Sequence, residues 1–419
     1  MAEFKEISPN APLGAKLHNW FDNRFPTLFA EYRKHMSEYY APKNFNFWYF
    51  FGSLAMLVLA IQIVTGIFLV MHYKPDAAKA FESVEYIMRD VPGGWFIRYM
   101  HSTGASAFFV VVYLHMFRGL MYGSYRKPRE LVWIFGCAIF LALMAEACMG
   151  YLLPWGQMSY WGAQVITSLF SAIPFVGEAL VGWIRGDFLI SDATLNRFFA
   201  LHVVALPLVL LLLVVLHLGA LHEVGSNNPD GVDIKKKKGP DGIPLDGIAF
   251  HPYYTVKDLF GVGVFLMLFA FVIFFAPTFG DLFLEYDNFN PADPMVTPAH
   301  IKPVWYFTPY YAMLRAIPDK LAGVMVMGAA VMILFLIPWL DRSPVRSIRY
   351  RGPLTKIALA LFTVAFVTLG YLGLQAGSEI QKLIAQICTA IYFLFFLLMP
   401  VYTKMDAVKP VPDRVTMHD

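Results

Sequence analysis

Four of the eleven histidines lie inside long apolar stretches. His101 and His115 are fourteen residues apart in one, and His202 and His217 stand at the two ends of HVVALPLVLLLLVVLH in another. A neutral imidazole is a strong axial ligand for iron, and the interior of a four-helix bundle is a usual place to hold a cofactor. Fourteen residues are about 3.9 helical turns and about 21 Å of rise, so His101 and His115 share a face, one near each leaflet. The two stretches are the second and fourth crossings and run in the same direction. His101 can therefore face His202, and His115 can face His217. The pattern predicts two bis-imidazole sites stacked across a bilayer, each suited to a b-type haem. A single intramembrane histidine more often bonds to a neighbouring helix or lines a proton path; four at matched depths on two parallel helices favour ligation.

A wide flat cofactor needs missing side chains at the same depths on the helices beside it. The first and third crossings supply Gly52 and Gly66, and Gly136 and Gly150, again fourteen apart in each pair. Glycine in membrane helices is often simple close packing, but the shared spacing ties these four to the histidines. Arg98, Arg118 and Arg197 lie three to five residues from a ligand histidine, a placement suited to haem propionates. Snorkelling at helix ends is the ordinary alternative for such arginines.

The elements that must position these residues follow from composition. The 419 residues are 58% hydrophobic and 15% charged, with a mean hydropathy of +0.54, too apolar for an ordinary soluble domain. An all-α integral membrane protein is expected. Stretches of about 20 apolar residues can cross a bilayer, and eight occur, near 45–72, 94–122, 131–152, 195–222, 258–277, 321–340, 356–374 and 382–401. RKPR (126–129), KKKK (235–238) and the series Arg342, Arg346, Arg349, Arg351, Lys356 fall in the second, fourth and sixth loops. The positive-inside rule puts these loops and both termini on the cytoplasmic side, or on the matrix side in an organelle. The long loops at about 155–193 and 278–320, rich in Pro, Gly and aromatics, are the ones expected to build a site.

Three regions result: an N-terminal segment 1–44, a four-helix di-haem bundle 45–225, and a second four-helix region 226–419 carrying the loop 278–320. Trp20, Phe21, Phe25, Phe29 and Tyr32 among charges between 18 and 40 read as a helix lying in the membrane interface. Cys137, Cys148 and Cys388 have no zinc, iron–sulfur or covalent-haem spacing. The net charge of +3 is spread over loops, which argues against a nucleic-acid partner. The N-terminus lacks the pattern of a cleaved signal peptide.

His202 and His217 are fifteen apart rather than fourteen. One extra residue would turn His217 by about 100° in an undistorted helix. Pro207 lies inside the run and lacks a backbone donor, so a wide turn or kink between Pro207 and His217 is expected to absorb it.

At this point a family resemblance can be drawn. GGWFIRYMHSTGASAFFVVVYLHMFRGLMYGSY, GYLLPWGQMSYWGAQVITSLFSAIPFVG, TLNRFFALH, HEVGSNNPDG, HPYYTVKDLFG and PVWYFTPYYAMLRAIPDK resemble cytochrome b of the cytochrome bc (quinol to cytochrome c) complex, over nearly the whole chain. The resemblance implies two non-covalent b haems joining a quinol-oxidising site on the positive side to a quinone-reducing site on the negative side, with proton translocation as the outcome. It places the low-potential haem on His101 and His202 and the high-potential haem on His115 and His217. It also implies a Rieske-type iron–sulfur partner, a cytochrome c1-type subunit, surrounding lipids and a homodimer of the complex. Catalysis would occur only within that complex.

The quinone-reducing site maps onto His222, Ser226, Asn228, Lys257 and Asp258, and the quinol-oxidising site onto Tyr151, the motif Pro303, Val304, Trp305, Tyr306, and Tyr311. The family's usual PEWY motif here reads PVWY, so the glutamate commonly proposed to take a quinol proton is replaced by Val304. In the same loop Glu285 and Asp287 are available. Glu285 is the expected substitute, because a buried carboxylate within reach of the quinol hydroxyl is what the chemistry requires. The PVWY variant and the lack of a transit peptide point to a bacterial inner membrane. Two other classes compete. A secondary transporter would need polar groups at the bilayer midplane, where VALPLVLLLLVV has almost none. A haem b anchor of a quinone-linked dehydrogenase or hydrogenase would need only the first half and leaves the 278–320 loop unexplained.

Overall fold

The computed structural model describes residues 7–27, 30 and 33–417. Eight helices are long and apolar enough to cross a membrane: α1 (Phe47–Val70), α2 (Gly94–Tyr122), α3 (Glu130–Leu152), α4 (Asp192–Val224), α5 (Phe250–Phe275), α6 (Lys320–Leu340), α7 (Pro353–Gly373) and α8 (Glu379–Leu397). They coincide with the eight apolar runs, with two shifts at prolines and turns. α5 begins earlier than expected because a π turn, Phe250–Tyr254, leads into it. α8 ends at Leu397, and a separate helix Met399–Met405 follows with Pro400 in its first turn, where the missing donor costs nothing.

The ends of these helices are chemically marked. Asp319 accepts the Ala322 N–H at the start of α6, and Ser378 and Gln381 form a reciprocal capping box at the start of α8. α2 runs between Gly93 and Gly123, both left-handed with φ of 73° and 64°. At Gly123 a Cβ would also stand 2.7 Å from the Arg346 carbonyl oxygen, so this stop admits only glycine.

α1 packs along α2, α3 along α4, and α5 lies against α1 and α2. In the second half the short helix Thr308–Ala316 packs against α6, α7 and α8. Aromatic side chains join the halves: Phe109 of α2 stacks on Tyr306 at 3.9 Å with rings 6° apart, and Tyr310 and Tyr392 belong to the same buried cluster. The outer faces are apolar and open. Leu208, Leu212 and Val215 of α4 are exposed while Leu210 is buried, as expected of a helix with one face in lipid. The cysteines are unpaired.

One face gathers the second, fourth and sixth loops with both terminal segments. Arg129 donates to the carbonyls of Gly225 and Ser226. Tyr40–Pro42 pairs antiparallel with Gly247–Ala249. Asp230, fully buried, accepts from Asn44, Arg349, Tyr350 and Thr416, and these donors hold its carboxyl below the ordinary range against the opposing cost of burial. The shared face agrees with the charge-based grouping of those loops. Within 18–40 the helix is Leu13–Arg24, ending before Pro26, with a π turn at Arg33–Ser37. Trp20, Phe21 and Phe25 are exposed; Phe29 and Tyr32 lie outside the described residues.

The wide turn in the fourth crossing lies elsewhere than expected. Leu201–Ala205 is π-helical and Leu206–Val224 is α-helical, so the distortion precedes Pro207 rather than following it. The physical reason is the direction in which proline acts: its ring crowds the carbonyl four residues earlier and its nitrogen cannot bond to it, so the turn before it opens. Leu206 N–H accordingly reaches back five residues to the Leu201 carbonyl. The turn contains His202, and the extra residue is absorbed between the two histidines as the count requires.

Candidate functional site

The bundle brings the four histidines together in two pairs. Ring centres of His101 and His202 are 6.1 Å apart, and those of His115 and His217 are 6.3 Å apart. With imidazole–metal bonds of about 2 Å and roughly 1 Å from ring nitrogen to ring centre, two rings sharing one ion lie roughly 6 Å apart.

Hydrogen bonding fixes which nitrogen is available. His217 Nδ1 donates to the Val132 carbonyl at 2.8 Å, and His202 Nδ1 to the Glu146 carbonyl at 3.0 Å. His101 Nδ1 donates to Thr65 Oγ1 at 2.9 Å, since the Thr65 hydroxyl proton is directed to the Ile61 carbonyl at 2.6 Å. In all three the proton sits on Nδ1 and leaves Nε2 as the ligating nitrogen, the arrangement that orients metal-binding histidines. His115 Nδ1 and Arg118 Nε are buried without hydrogen-bond partners among the described residues.

The glycines are matched to the histidines one by one. A Cβ on Gly52 would lie 3.5 Å from His115 Cε1, on Gly66 3.3 Å from His101, on Gly136 3.3 Å from His217, and on Gly150 2.4 Å from His202. Each imidazole thus rests against a bare stretch of a neighbouring helix. This cradle, the donor set and the orphaned Arg118 Nε fit two bis-imidazole haems. Among the arginines, Arg118 lies over the Tyr49 ring at 4.8 Å, Arg98 sits one turn before His101, and Arg197 donates to the Trp183 carbonyl.

On the side away from the basic loops, Tyr151 closes α3. Its hydroxyl donates to Glu285 Oε2 at 2.9 Å and accepts from Asn288 Nδ2 at 2.9 Å. Glu285 is 2% exposed. Burial pushes its carboxyl up to about 7, against the opposing effects of the Tyr151 hydrogen bond and the Lys302 charge. Asp287, in contrast, points to the exposed surface. The PVWY loop packs beside this group. Trp305 Nε1 donates to Ser106 at 3.0 Å, Tyr113 donates to the Tyr306 carbonyl at 2.6 Å, and Val304 is buried in the apolar cluster. Pro303 is partly buried at the entry to this turn. Tyr311 is directed differently, with its hydroxyl on the Ile301 carbonyl at 3.4 Å and its ring beneath Arg315.

On the opposite face the expected residues divide into three places. His222 stacks on Tyr39 with ring centres 4.6 Å apart and meets His35 Nδ1 at 2.5 Å, while Ser226 Oγ is 2.8 Å from the Tyr39 hydroxyl. Lys257 and Asp258 line a cavity of about 320 Å³ with Phe45, Asn46 and Tyr254, a volume suited to a small ligand. Asn228 belongs to neither: it is fully buried and its side chain ties its own loop through Val232 and Asp230. His35, Tyr39, Asn288 and Glu146 contact the expected site residues and were passed over in the sequence reading. Glu146 had a visible signal, being an acid within an apolar crossing.

An eight-span bundle with two internal imidazole pairs at different depths defines a membrane-embedded electron-transfer scaffold. Two family models match the chain, Cytochrome b/b6/petB over residues 36–225 and Cytochrome b(C-terminal)/b6/petD over residues 291–393. It is 64% identical to cytochrome b of Allochromatium vinosum, over 95% of this chain and 98% of that one. It is 53% identical to cytochrome b of Rhodospirillum rubrum, over 96% of each. A solved structure titled Hyperthermophilic respiratory Complex III matches with a TM-score of 0.85 and 40% identity, over 92% of this chain and 98% of that one. The chain belongs to the cytochrome b family, the haem-binding core of quinol–cytochrome c reductase. It is a multi-pass membrane protein of the respiratory chain, and its function is transmembrane electron transfer.

Proposed function

We propose that the chain oxidises quinol at the Tyr151–Glu285 end and reduces quinone at the His222 end, with two b haems between them. His101 and His202 would hold the positive-side haem, and His115 and His217 the negative-side haem. Gly52, Gly66, Gly136 and Gly150 leave room beside them, and Arg98, Arg118 and Arg197 answer the propionates. Bound there, the haems supply one-electron carriers linking the two faces of the membrane.

At the positive side Glu285 takes the proton that PVWY cannot. Its Oε2 is already the acceptor of the Tyr151 hydroxyl, and a carboxyl raised to about 7 is matched to proton transfer near neutral pH. Pro303, Val304, Trp305 and Tyr306 form the apolar wall that keeps water from the reacting hydroxyl, with Tyr311 at its edge. At the negative side His222 and Ser226 present a proton-carrying imidazole and a hydroxyl, while Lys257 and Asp258 line the adjoining cavity. Asn228 shapes the loop that holds Ser226.

The same reading divides the chain into the N-terminal interfacial segment 1–44, the di-haem bundle 45–225 and the region 226–419. It gives the complex a Rieske-type iron–sulfur protein, a cytochrome c1-type subunit and a second copy of itself. The chain would lie in a bacterial inner membrane with both termini cytoplasmic. The observation that carries the reading is the pairing of the four imidazoles at 6.1 and 6.3 Å. A reduced-minus-oxidised spectrum of the purified complex tests it. Two b bands are expected, with one lost in His217→Leu; two undisturbed bands in that variant would refute the ligand assignment.

A further inference from the structure

In α3 a single acid lies deep among apolar neighbours. Glu146 is one turn before Gly150, and its Oε1 is 3.1 Å from His202 Nδ1, which also donates to the Glu146 carbonyl at 3.0 Å; both side chains are largely buried. Its other oxygen, Oε2, is buried without a hydrogen-bond partner among the described residues. An ionisable side chain within a membrane span is costly and is retained where it has a partner or a task. The other three ligand imidazoles lack such a partner. His217 donates to a backbone carbonyl, His101 to a hydroxyl, and His115 Nδ1 has no acceptor among the described residues.

We propose that Glu146 is a positioning residue for the positive-side haem, its carboxylate sharing the Nδ1–H of His202 with the Glu146 backbone carbonyl. The bond has two consequences. It holds the π-turn imidazole in the tautomer that presents Nε2, at the very place where the helix is least regular. It also makes His202 the most basic of the four ligands, because a carboxylate acceptor raises imidazole donor strength more than a neutral one. A more basic ligand stabilises ferric over ferrous iron, so Glu146 lowers the reduction potential of this haem and leaves the other unaffected. The inference rests on the assignment of His202 as a haem ligand proposed above.

Redox titration of the purified complex, following the two b bands separately, tests it. His202→Leu identifies the positive-side band; if that variant keeps both bands, the ligand assignment itself fails, whatever Glu146 does. With the band identified, Glu146→Gln is expected to shift its ferric/ferrous equilibrium about tenfold toward reduction, 59 mV upward for one electron. The other band should not move, and Glu146→Asp should stay near the parent value. Loss of the positive-side haem in Glu146→Gln but not in Glu146→Asp would support the orienting role. Unmoved potentials in Glu146→Gln with both haems present would overturn the proposal, leaving the Glu146 carbonyl as the acceptor. So would an equal shift of both bands. Resonance Raman of the unaltered complex is an independent measure. A stronger iron–imidazole stretch is expected at the positive-side haem, and identical stretches at the two haems would also overturn it.

Discussion

Replacing Glu285 by glutamine keeps the shape and the oxygen that accepts from Tyr151, but removes the ability to take a proton. A positioned general base contributes about 10²- to 10⁴-fold to a proton-coupled step, so quinol oxidation should fall by about that factor. The parent enzyme should gain rate as pH rises through about 7, where the buried carboxyl ionises, and Glu285→Gln should lose that limb. The same shift has a thermodynamic face. The folded-state value of about 7 stands above the ordinary 4.5, so the unfolded chain gives up its proton first. Stability from this group is therefore full below about 4.5, declines between 4.5 and about 7, and is lower by about 3 kcal/mol above that range. Glu285→Gln should escape the decline and melt at a higher temperature than the parent at pH 8, while being slower in turnover. Quinol–cytochrome c reductase assays and thermal unfolding of the solubilised complex across pH 5 to about 9 provide both readouts. Asp287→Asn, on the exposed surface, serves as the control and should change neither. Parent-like turnover with the limb intact in Glu285→Gln would refute the assignment.

Two further outcomes test the cradle and the turn. Gly150→Ala places a Cβ 2.4 Å from His202 Cε1 and should strip most of the positive-side haem band, whereas Gly182→Ala, with open space around it, should leave both bands intact. Deleting Val204 removes one residue from the π turn Leu201–Ala205 and should keep both bands. Deleting Leu212 from the regular α-helical part should rotate His217 by about 100° relative to His202 and cost a haem.

The spans, the imidazole pairs and their glycines were legible because each is a spacing within one or two helices. Helical geometry converts such counts directly into faces and depths. The π turn was legible as a count and misplaced as a location, since proline acts on the turn before it. Asn228 was placed at the quinone-reducing site by the family resemblance; in the fold its side chain turns back on its own loop, an orientation that no spacing could give. His35 and Tyr39 could not be found locally, because they meet His222 and Ser226 across 187 positions of sequence. Glu285 was legible through an absence, the valine in PVWY, but its burial and its bond to Tyr151 depend on the loop folding back onto the end of α3.

The convergence on Asp230 has a meaning for the order of assembly. Its partners arrive at very different times during synthesis: Asn44 is already made, Arg349 and Tyr350 come after six crossings, and Thr416 lies 186 residues beyond Asp230 itself. A carboxylate waiting for its last donors cannot settle into its buried position until all eight crossings have been inserted. The face that gathers the basic loops therefore closes as a late clasp.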